Sequence, residues 1–269
     1  MKLSGIITLT TDFGWRDPYV AAMKGAILSI HPEAVLVDVT HDIEPGSIRE
    51  AADILLQTVP CFPPGTVHVG VVDPGVGTDR RALAAESGGR FLVGPDNGLF
   101  WPLLLQDMER RVVHVRDERF FRRPVSSTFH GRDVFAPVAA HLASGRDPHE
   151  MGDIIEDPVA LDVDRPREEG GALSGEVTRV DRFGNLVTNI SWNELAAFLQ
   201  GREPRIRTGD LEVKGLRACY GDVPAGEALA LIGSTGCLEV SVSGGRASDR
   251  VTPAPGKVQG MKVRVTASA

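Results

Sequence analysis

Four clusters in this chain join residue types that can act together on one small molecule. The first is Thr10, Thr11, Asp12, Phe13 and Gly14; the second is Asp38, Thr40, His41 and Asp42. The third runs from Asp73 through Pro74, Gly75, Val76, Gly77, Thr78 and Asp79 to Arg80, and the fourth from Phe129 through His130, Gly131 and Arg132 to Asp133. A carboxylate such as Asp12 offers two acceptor oxygens, the arrangement a vicinal diol needs. An imidazole can orient a water or take its proton near neutral pH. A guanidinium is always cationic and can fix a carboxylate by a bidentate pair. Singly, Asp12 or Asp42 reads as a cap or turn residue, and DPGVG as an ordinary turn. Four such clusters are harder to dismiss.

The elements that must position them alternate. GIITLT (5–10), AVLVDVT (34–40) and TVHVGVVD (66–73) read as buried strands. PYVAAMKGAILSIHP (18–32) and SIREAADILLQTVP (47–60) read as helices between them, the first with Asp17 as N-cap and an end before Pro32. ALAAES and RFLVGP follow, then a helix-like stretch at 133–145. Strand and helix in alternation predict parallel βαβ units, whose ligands collect at the carboxyl ends of the strands. The first three clusters stand at such ends, and the fourth precedes the last helix. DVDRPREEGGALSG (162–175) reads as a linker. Beyond it come GEVTRVDRFGNLVTNI, a short helix at WNELAAFLQ, then RIRTGDLEVKG, EALALIGSTGCLEVSVSGG and KVQGMKVRVTAS. Short runs broken by Gly and Asp turns predict a small barrel or sandwich. The expectation is an α/β N-terminal domain (parallel-sheet, Rossmann-like) over 1–165, then a small all-β, barrel-like C-terminal domain over 172–269.

Composition and missing motifs narrow the chemistry. The 269 residues carry 29 Lys and Arg against 36 Asp and Glu, a net charge of −7, so a broad cationic nucleic-acid surface is not expected. Cys61, Cys219 and Cys237 are an odd number without metal-ligand spacing. The chain has no Walker loop, no GxGxxG after the first strand, no GxSxG elbow and no HExxH or EF-hand spacing. P-loop hydrolysis, a standard dinucleotide fold, a generic α/β hydrolase and a zinc or magnesium site are disfavoured. No apolar run approaches membrane-span length, and MKLSGIITLTTDFG turns polar too soon for a signal peptide, so a cytoplasmic location is expected.

Six ordered segments carry a resemblance. TLTTDFG (8–14), THDIEPG (40–46), VVDPGVGT (71–78), GPDNGL (94–99), STFHGRDVFAP (127–137) and VDRFGNLVTNI (180–190) together resemble the S-adenosylmethionine (SAM) hydrolase family, or SAM hydroxide adenosyltransferases, relatives of fluorinating and chlorinating SAM enzymes. The resemblance spans nearly the whole chain. It implies a homotrimer, with sites between the N-terminal domain of one subunit and the C-terminal domain of its neighbour. It also implies hydrolysis of SAM to adenosine and L-methionine, with no metal or organic cofactor. The family's catalytic set falls on Asp73, Arg80 and His130, and its ribose carboxylate on Asp12. Asp181, Phe183 and Asn185 match residues around methionine and adenine. Asp17 and Tyr19 fall where the family touches the methionine portion. Ser234 matches a C-terminal contact, and Glu239 lies further along that strand. Relatives commonly carry Asn after that strand; here SVSGGRAS leaves adenine contacts to the backbone around Ser243 and Gly244. The halogenases carry an aromatic residue in place of Asp73, a serine in place of Gly131, and an extra loop where Arg80 to Gly94 is short here, so all three departures favour water as nucleophile.

The residue types suit that reaction. Displacement at ribose C5′ of a sulfonium expels neutral methionine, so no departing group needs a proton. The task is to hold one water in line with the C5′–S bond, and positioning alone supplies several kcal/mol. An arginine beside a carboxylate weakens it as a base. The expectation is therefore that Arg80 and His130 orient and polarise the water, with Asp73 as acceptor. Asn185 offers donor and acceptor to an amino acid, and Phe183 either packs on adenine or is an ordinary core residue. Two alternatives stand beside the hydrolase: a halogenase using the same site, and a SAM- or adenosine-binding protein whose slow hydrolysis is incidental.

Overall fold

The computed structural model describes residues 2–162, 164–251 and 258–268. Val163 of the expected linker and Lys257 of the expected final strand lie outside them. Contacts divide the chain into two compact units, Met1–Asp162 and Val163–Ala269.

The first unit is built on β1 (Ile6–Thr11), β2 (Val35–Thr40), β3 (Val67–Val71), β4 (Ala82–Ser87), β5 (Arg90–Pro95), β6 (Arg111–Val115) and β7 (Gly152–Ile154). They form one sheet in the order β2-β1-β3-β5-β4-β6-β7. The pairs β2–β1, β1–β3 and β3–β5 are parallel. The pairs β5–β4, β4–β6 and β6–β7 are antiparallel, so the expected parallel sheet is extended by an antiparallel half. The cause is local: Gly88 and Gly89, both at positive φ, turn β4 straight back into β5. Every residue of β3 is buried, as a strand covered on both faces requires.

On one face α1 (Tyr19–Ile30) and α4 (Ala136–Ala143) bury Met23, Ile27, Val138 and Leu142 against Ile7, Leu9, Val69 and Val93. On the other, α2 (Ile48–Thr58) and α3 (Trp101–Leu104) bury Leu55, Leu103 and Leu104 with Leu83 and Leu92. Asp17 does not cap α1. Pro18 is the N-cap, its carbonyl accepting from Ala22 N–H at 2.9 Å, and no side chain bonds the helix start. Proline's fixed φ is compatible with that entry, and its missing donor costs nothing there. The helix expected over 133–145 begins two residues earlier, as a π-turn over Gly131–Phe135 in which Ala136 N–H reaches back to Gly131 O.

The second unit is antiparallel throughout. Its strands are β8 (Arg167–Glu169), β9 (Ala172–Val180), β10 (Leu186–Ser191), β11 (Pro204–Thr208), β12 (Leu211–Lys214), β13 (Ala228–Ile232), β14 (Cys237–Val242) and β15 (Lys262–Ala267). The order is β12-β11-β15-β9-β10-β14-β13, with β8 paired to β9. Arg217 N–H, just past β12, donates to Ala230 O of β13 at 2.8 Å, so the two end strands nearly close a barrel. Leu173, Val177, Ile190, Val240 and Val263 fill it. The stretch expected as a linker is in part a hairpin: Gly170 and Gly171, both at positive φ, fold β8 onto β9. The helix α5 (Trp192–Leu199) starts on a capping box, in which Ser191 Oγ accepts from Glu194 N–H and Glu194 Oε2 from Ser191 N–H.

Candidate active site

Asp73 follows β3 by two residues, on a turn closed by Val76 N–H donating to Asp73 O at 3.1 Å. Arg80 returns from the far side of that loop. Gly77 must be glycine here: its φ is +77°, and a Cβ would sit 2.2 Å from Ser127 O. Arg80 Nε donates to Asp73 Oδ1 at 2.9 Å and to Oδ2 at 3.1 Å, while Nη2 donates to Oδ2 at 2.5 Å. Nη2 also lies 2.7 Å from His130 Nδ1, and the guanidinium stacks over Phe135, 5.1 Å from the ring centroid. The structure therefore brings Asp73, Arg80 and His130 into one hydrogen-bonded set. The Asp73 and Arg80 side chains are 5% and 11% exposed, so little solvent screens the pair. Burial first, then the positive charge of Arg80, holds the His130 pKa below the ordinary 6.5.

The set borders a pocket of about 180 Å3 lined by Asp12, Phe13, Gly46, Val71, Asp73, Pro74, Val76, Thr128, Phe129, His130 and Gly131. Asp12 stands just beyond β1, and one of its oxygens accepts from Gly46 N–H at 2.9 Å. Gly131 leaves room at the floor: a Cβ there would lie 3.2 Å from Met23 Sδ and 3.3 Å from the Phe13 ring. Phe13, Tyr19 and Phe129 pack edge to face in a triangle, with centroids 5.1 to 5.9 Å apart. Tyr19 thus touches two pocket walls from behind. Asp17 is exposed and does not line the pocket. The walls Phe13 and Phe129 belong to the first and fourth clusters, but the sequence gives them no role, because a phenylalanine between polar residues looks the same in a core.

Next to His130, the buried Asp133 accepts from Arg132 Nε and Nη2, Arg122 Nη1 and Ser126 N–H. Burial pushes its pKa up, but those donors outweigh it and the carboxyl stays below its usual range. Asp133 so ties the segment ahead of His130 to the π-turn after it. Among the described residues, no group of three or more His, Cys, Asp and Glu could hold a metal.

The remaining sequence candidates lie in the second unit. Asp181 organises the turn between β9 and β10: Oδ1 accepts from Phe183 N–H and Asn185 N–H at 2.8 and 2.9 Å, and Oδ2 from Asn185 Nδ2 at 2.9 Å. That turn pushes Phe183 outward, 75% exposed, which sets aside its reading as a core residue. Asn185 is buried, its amide nitrogen committed to Asp181. Ser234 is exposed in the turn before β14. Glu239 is buried and accepts from Tyr220 Oη at 2.7 Å and Ser241 Oγ at 2.9 Å. The sequence offers no signal for Tyr220 beyond an aromatic in a polar loop. Its phenol is pushed up to about 12 by burial and by the bond to Glu239. Ser243 exchanges backbone bonds with Gly226 and Glu227, so its carbonyl and amide are committed, and Gly244 turns at φ +62°.

Two family models match the chain: the SAM hydroxide adenosyltransferase N-terminal domain over residues 7–152, and the corresponding C-terminal domain over 175–258. A protein of Salinispora tropica named (R)-S-adenosyl-L-methionine hydrolase is 40% identical over 268 residues, covering 97% of each chain. One of the same name from Thermus thermophilus is 40% identical, covering 95% of this chain and 97% of its own. A fluorinase of an Actinoplanes species is 30% identical over 75% of this chain and 77% of its own. Among solved structures, an uncharacterized conserved protein from Thermotoga maritima matches with a TM-score of 0.89 and 34% identity, over 97% of this chain and 99% of that one.

Proposed function

Because the chain belongs to the SAM hydroxide adenosyltransferase family, we propose that it hydrolyses SAM to adenosine and L-methionine. The observation that carries this reading is the contact of Arg80 with both Asp73 and His130 at the edge of a pocket that Asp12 also lines. Water attacks ribose C5′ in line with the C5′–S bond; the bonding pair leaves with sulfur, and methionine departs uncharged.

In this reading the three groups take different parts. A guanidinium only donates, so its bond to His130 makes Nδ1 an acceptor and puts the proton of the neutral ring on Nε2. That N–H orients the water rather than removing its proton. Asp73 Oδ1 carries one arginine bond where Oδ2 carries two, leaving it more acceptor capacity for the water. The proton released as the C–O bond forms passes to Asp73 and on to solvent. No step needs a metal. Asp12 takes the ribose diol, with Phe13 and Phe129 walling the sugar.

A pocket of about 180 Å3 is smaller than the roughly 300–1,000 Å3 usual for ligands of this size. The family resemblance implies a homotrimer, and we propose one here, in which the second unit of a neighbouring copy completes this small pocket. There Asp181 and Asn185 flank the methionine portion, Ser234 adds a hydroxyl, and the exposed Phe183 packs against adenine. Tyr19, packed on Phe13 and Phe129, and the exposed Asp17 lie outside the pocket lining of the single chain, and we place the methionine portion on that side. We propose a cytoplasmic location with this reading. Among the described residues, no helix is long and apolar enough to cross a membrane.

Incubation with SAM in water labelled with heavy oxygen, without added metal, tests the reaction. The expected products are free methionine and adenosine labelled at the 5′ oxygen. Adenosine no faster than in His130→Ala sinks the hydrolase reading, and intact retained SAM favours a binding protein instead. Light scattering at the mass of three chains is the outcome expected for the assembly.

A further inference from the structure

A polar chain, partly exposed at Lys24 and Asp38 and buried at His41 and Thr11, runs from α1 to the loop that carries Asp12. Lys24 Nζ donates to Asp38 Oδ2 at 2.5 Å, and Asp38 Oδ1 lies 3.0 Å from His41 Nε2. His41 Nδ1 lies 2.8 Å from Thr11 Oγ1, and Phe13 N–H donates to that same oxygen at 3.2 Å. His41 and Thr11 are both fully buried. Burial alone would raise the Asp38 pKa, but the bonds from Lys24 and His41 more than offset it, so Asp38 is a charged acceptor. Asp38 only accepts, so His41 Nε2 carries a hydrogen and donates to it. With that tautomer Nδ1 accepts from the Thr11 hydroxyl, and the hydroxyl oxygen keeps lone pairs for Phe13 N–H.

The chain ends on the pocket. Thr11 fixes Phe13 N–H, His41 O accepts from Gly14 N–H at 2.7 Å, and Gly46 N–H holds one Asp12 oxygen at 2.9 Å. Two of these three anchors pass through His41. A register break delivers it: pairing of β1 with β2 steps from Leu9↔Asp38 to Thr10↔Thr40, so Val39 is an extra residue. Such irregularities re-aim side chains next to functional sites. Nothing about strand stability asks for a polar chain here, since apolar packing of similar volume is often at least as stable.

We propose that His41 and Thr11 are positioning residues, which hold Asp12 in the geometry that binds a ribose diol. The inference rests on the reading of Asp12 and its pocket given above. Neither residue touches substrate; both act through the main chain of the Asp12–Gly14 loop.

The test is calorimetric binding of adenosine and of 2′,3′-dideoxyadenosine, which lacks the diol, to the full-length chain. The unsubstituted protein prefers adenosine. Thr11→Val, which keeps the branched shape and removes the hydroxyl, lowers adenosine affinity by about tenfold, the equivalent of one hydrogen bond, and leaves dideoxyadenosine affinity unchanged. Thr11→Ser restores the preference. His41→Leu loses it and His41→Asn, whose Oδ1 can still accept from Thr11, retains it; this pair decides the matter if Thr11→Val does not fold. In steady state, KM for SAM rises in Thr11→Val and His41→Leu more than kcat falls. Equal losses for both nucleosides, or no loss for either, overturn the positioning role while leaving the hydrolase reading intact. An unsubstituted protein that binds neither nucleoside overturns the reading of the pocket, and the positioning role with it.

Discussion

Arg80 Nη2 lies 2.7 Å from His130 Nδ1 while the same nitrogen donates to Asp73 Oδ2 at 2.5 Å, so one cation couples an imidazole to a carboxylate. The imidazole can hold that contact only while Nδ1 is a lone pair. Protonation would set an N–H against an N–H.

The coupling fixes the sign of the pH response. Burial and Arg80 keep the His130 pKa below 6.5, so His130 is neutral at pH 7 and charges only on acidification. Turnover should be level through neutral pH and fall on the acid side, with a midpoint below 6.5. Arg80→Met removes the second cause and leaves burial, so the His130 midpoint should move upward. Proton NMR titration, assigned with His130→Gln, reads it directly. A midpoint that stays in place in Arg80→Met would contradict this coupling.

Asp73→Asn keeps the size of the side chain and turns an acceptor toward Arg80 into a partial donor. It should lower kcat by at least ~100-fold, the usual reach of proton handling by a positioned side chain, with a smaller change in KM. It should also destabilise the first unit by about 3 kcal/mol, because a nearly buried guanidinium loses its anion. Denaturant unfolding and single-turnover rates on the folded protein separate the two effects. Normal turnover per folded molecule would leave Asp73 a purely structural partner.

Tyr220 and Glu239 give a readable probe of the second unit. The protein has two tyrosines, Tyr19 and Tyr220. Tyr220 is pushed up to about 12, with burial the first cause and the bond to Glu239 the second. Glu239→Gln should bring the Tyr220 transition down, without bringing it to 10, since burial remains. Ultraviolet titration in a Tyr19→Phe background resolves it, and an unmoved transition would mean that Tyr220 does not bond Glu239 in solution.

His68 should dominate the acid sensitivity of the first unit. It is fully buried, its Nδ1 2.8 Å from Thr8 Oγ1, and burial followed by the charge of Arg90 lowers its pKa to about 4. The unfolded chain binds a proton near 6.5, so the stability tied to a neutral His68 is complete above that pH and is lost as pH falls toward 4. Two and a half units correspond to roughly 3 kcal/mol. Urea midpoints between pH 7 and pH 4 should fall steeply in the parent and less in His68→Asn; parallel curves would exclude this residue as the cause.

Much of this protein is decided by neighbours in sequence. The buried runs that become β1, β2 and β3 are legible because strand burial and turn chemistry are local. The short helix at WNELAAFLQ is legible, and its cap is local too, since Ser191 and Glu194 satisfy each other's backbone donors within one turn. The clusters holding Asp12 and Asp73 are visible because polar residues gather where buried strands end, and that of His130 because it stands just before a helix. Gly-Gly pairs were equally present at 88–89 and 170–171, but a turn names no partner strand, so β5 beside β3 and the β8 hairpin came only with the fold.

What the tertiary structure alone decided is contact across distance. Arg80 reaches His130 fifty residues away because β3 and the π-turn before α4 place their ends together, and Gly77 can pass against Ser127 without a side chain. Thr11 meets His41 thirty residues on because one extra residue in β2 re-aims the strand end. Phe183 faces outward because Asp181 closes the turn beneath it with three hydrogen bonds. Sequence spacing encodes which faces are apolar and where strands stop. Only packing chooses which of those ends meet, because the free energy of each contact depends on partners that no local pattern names.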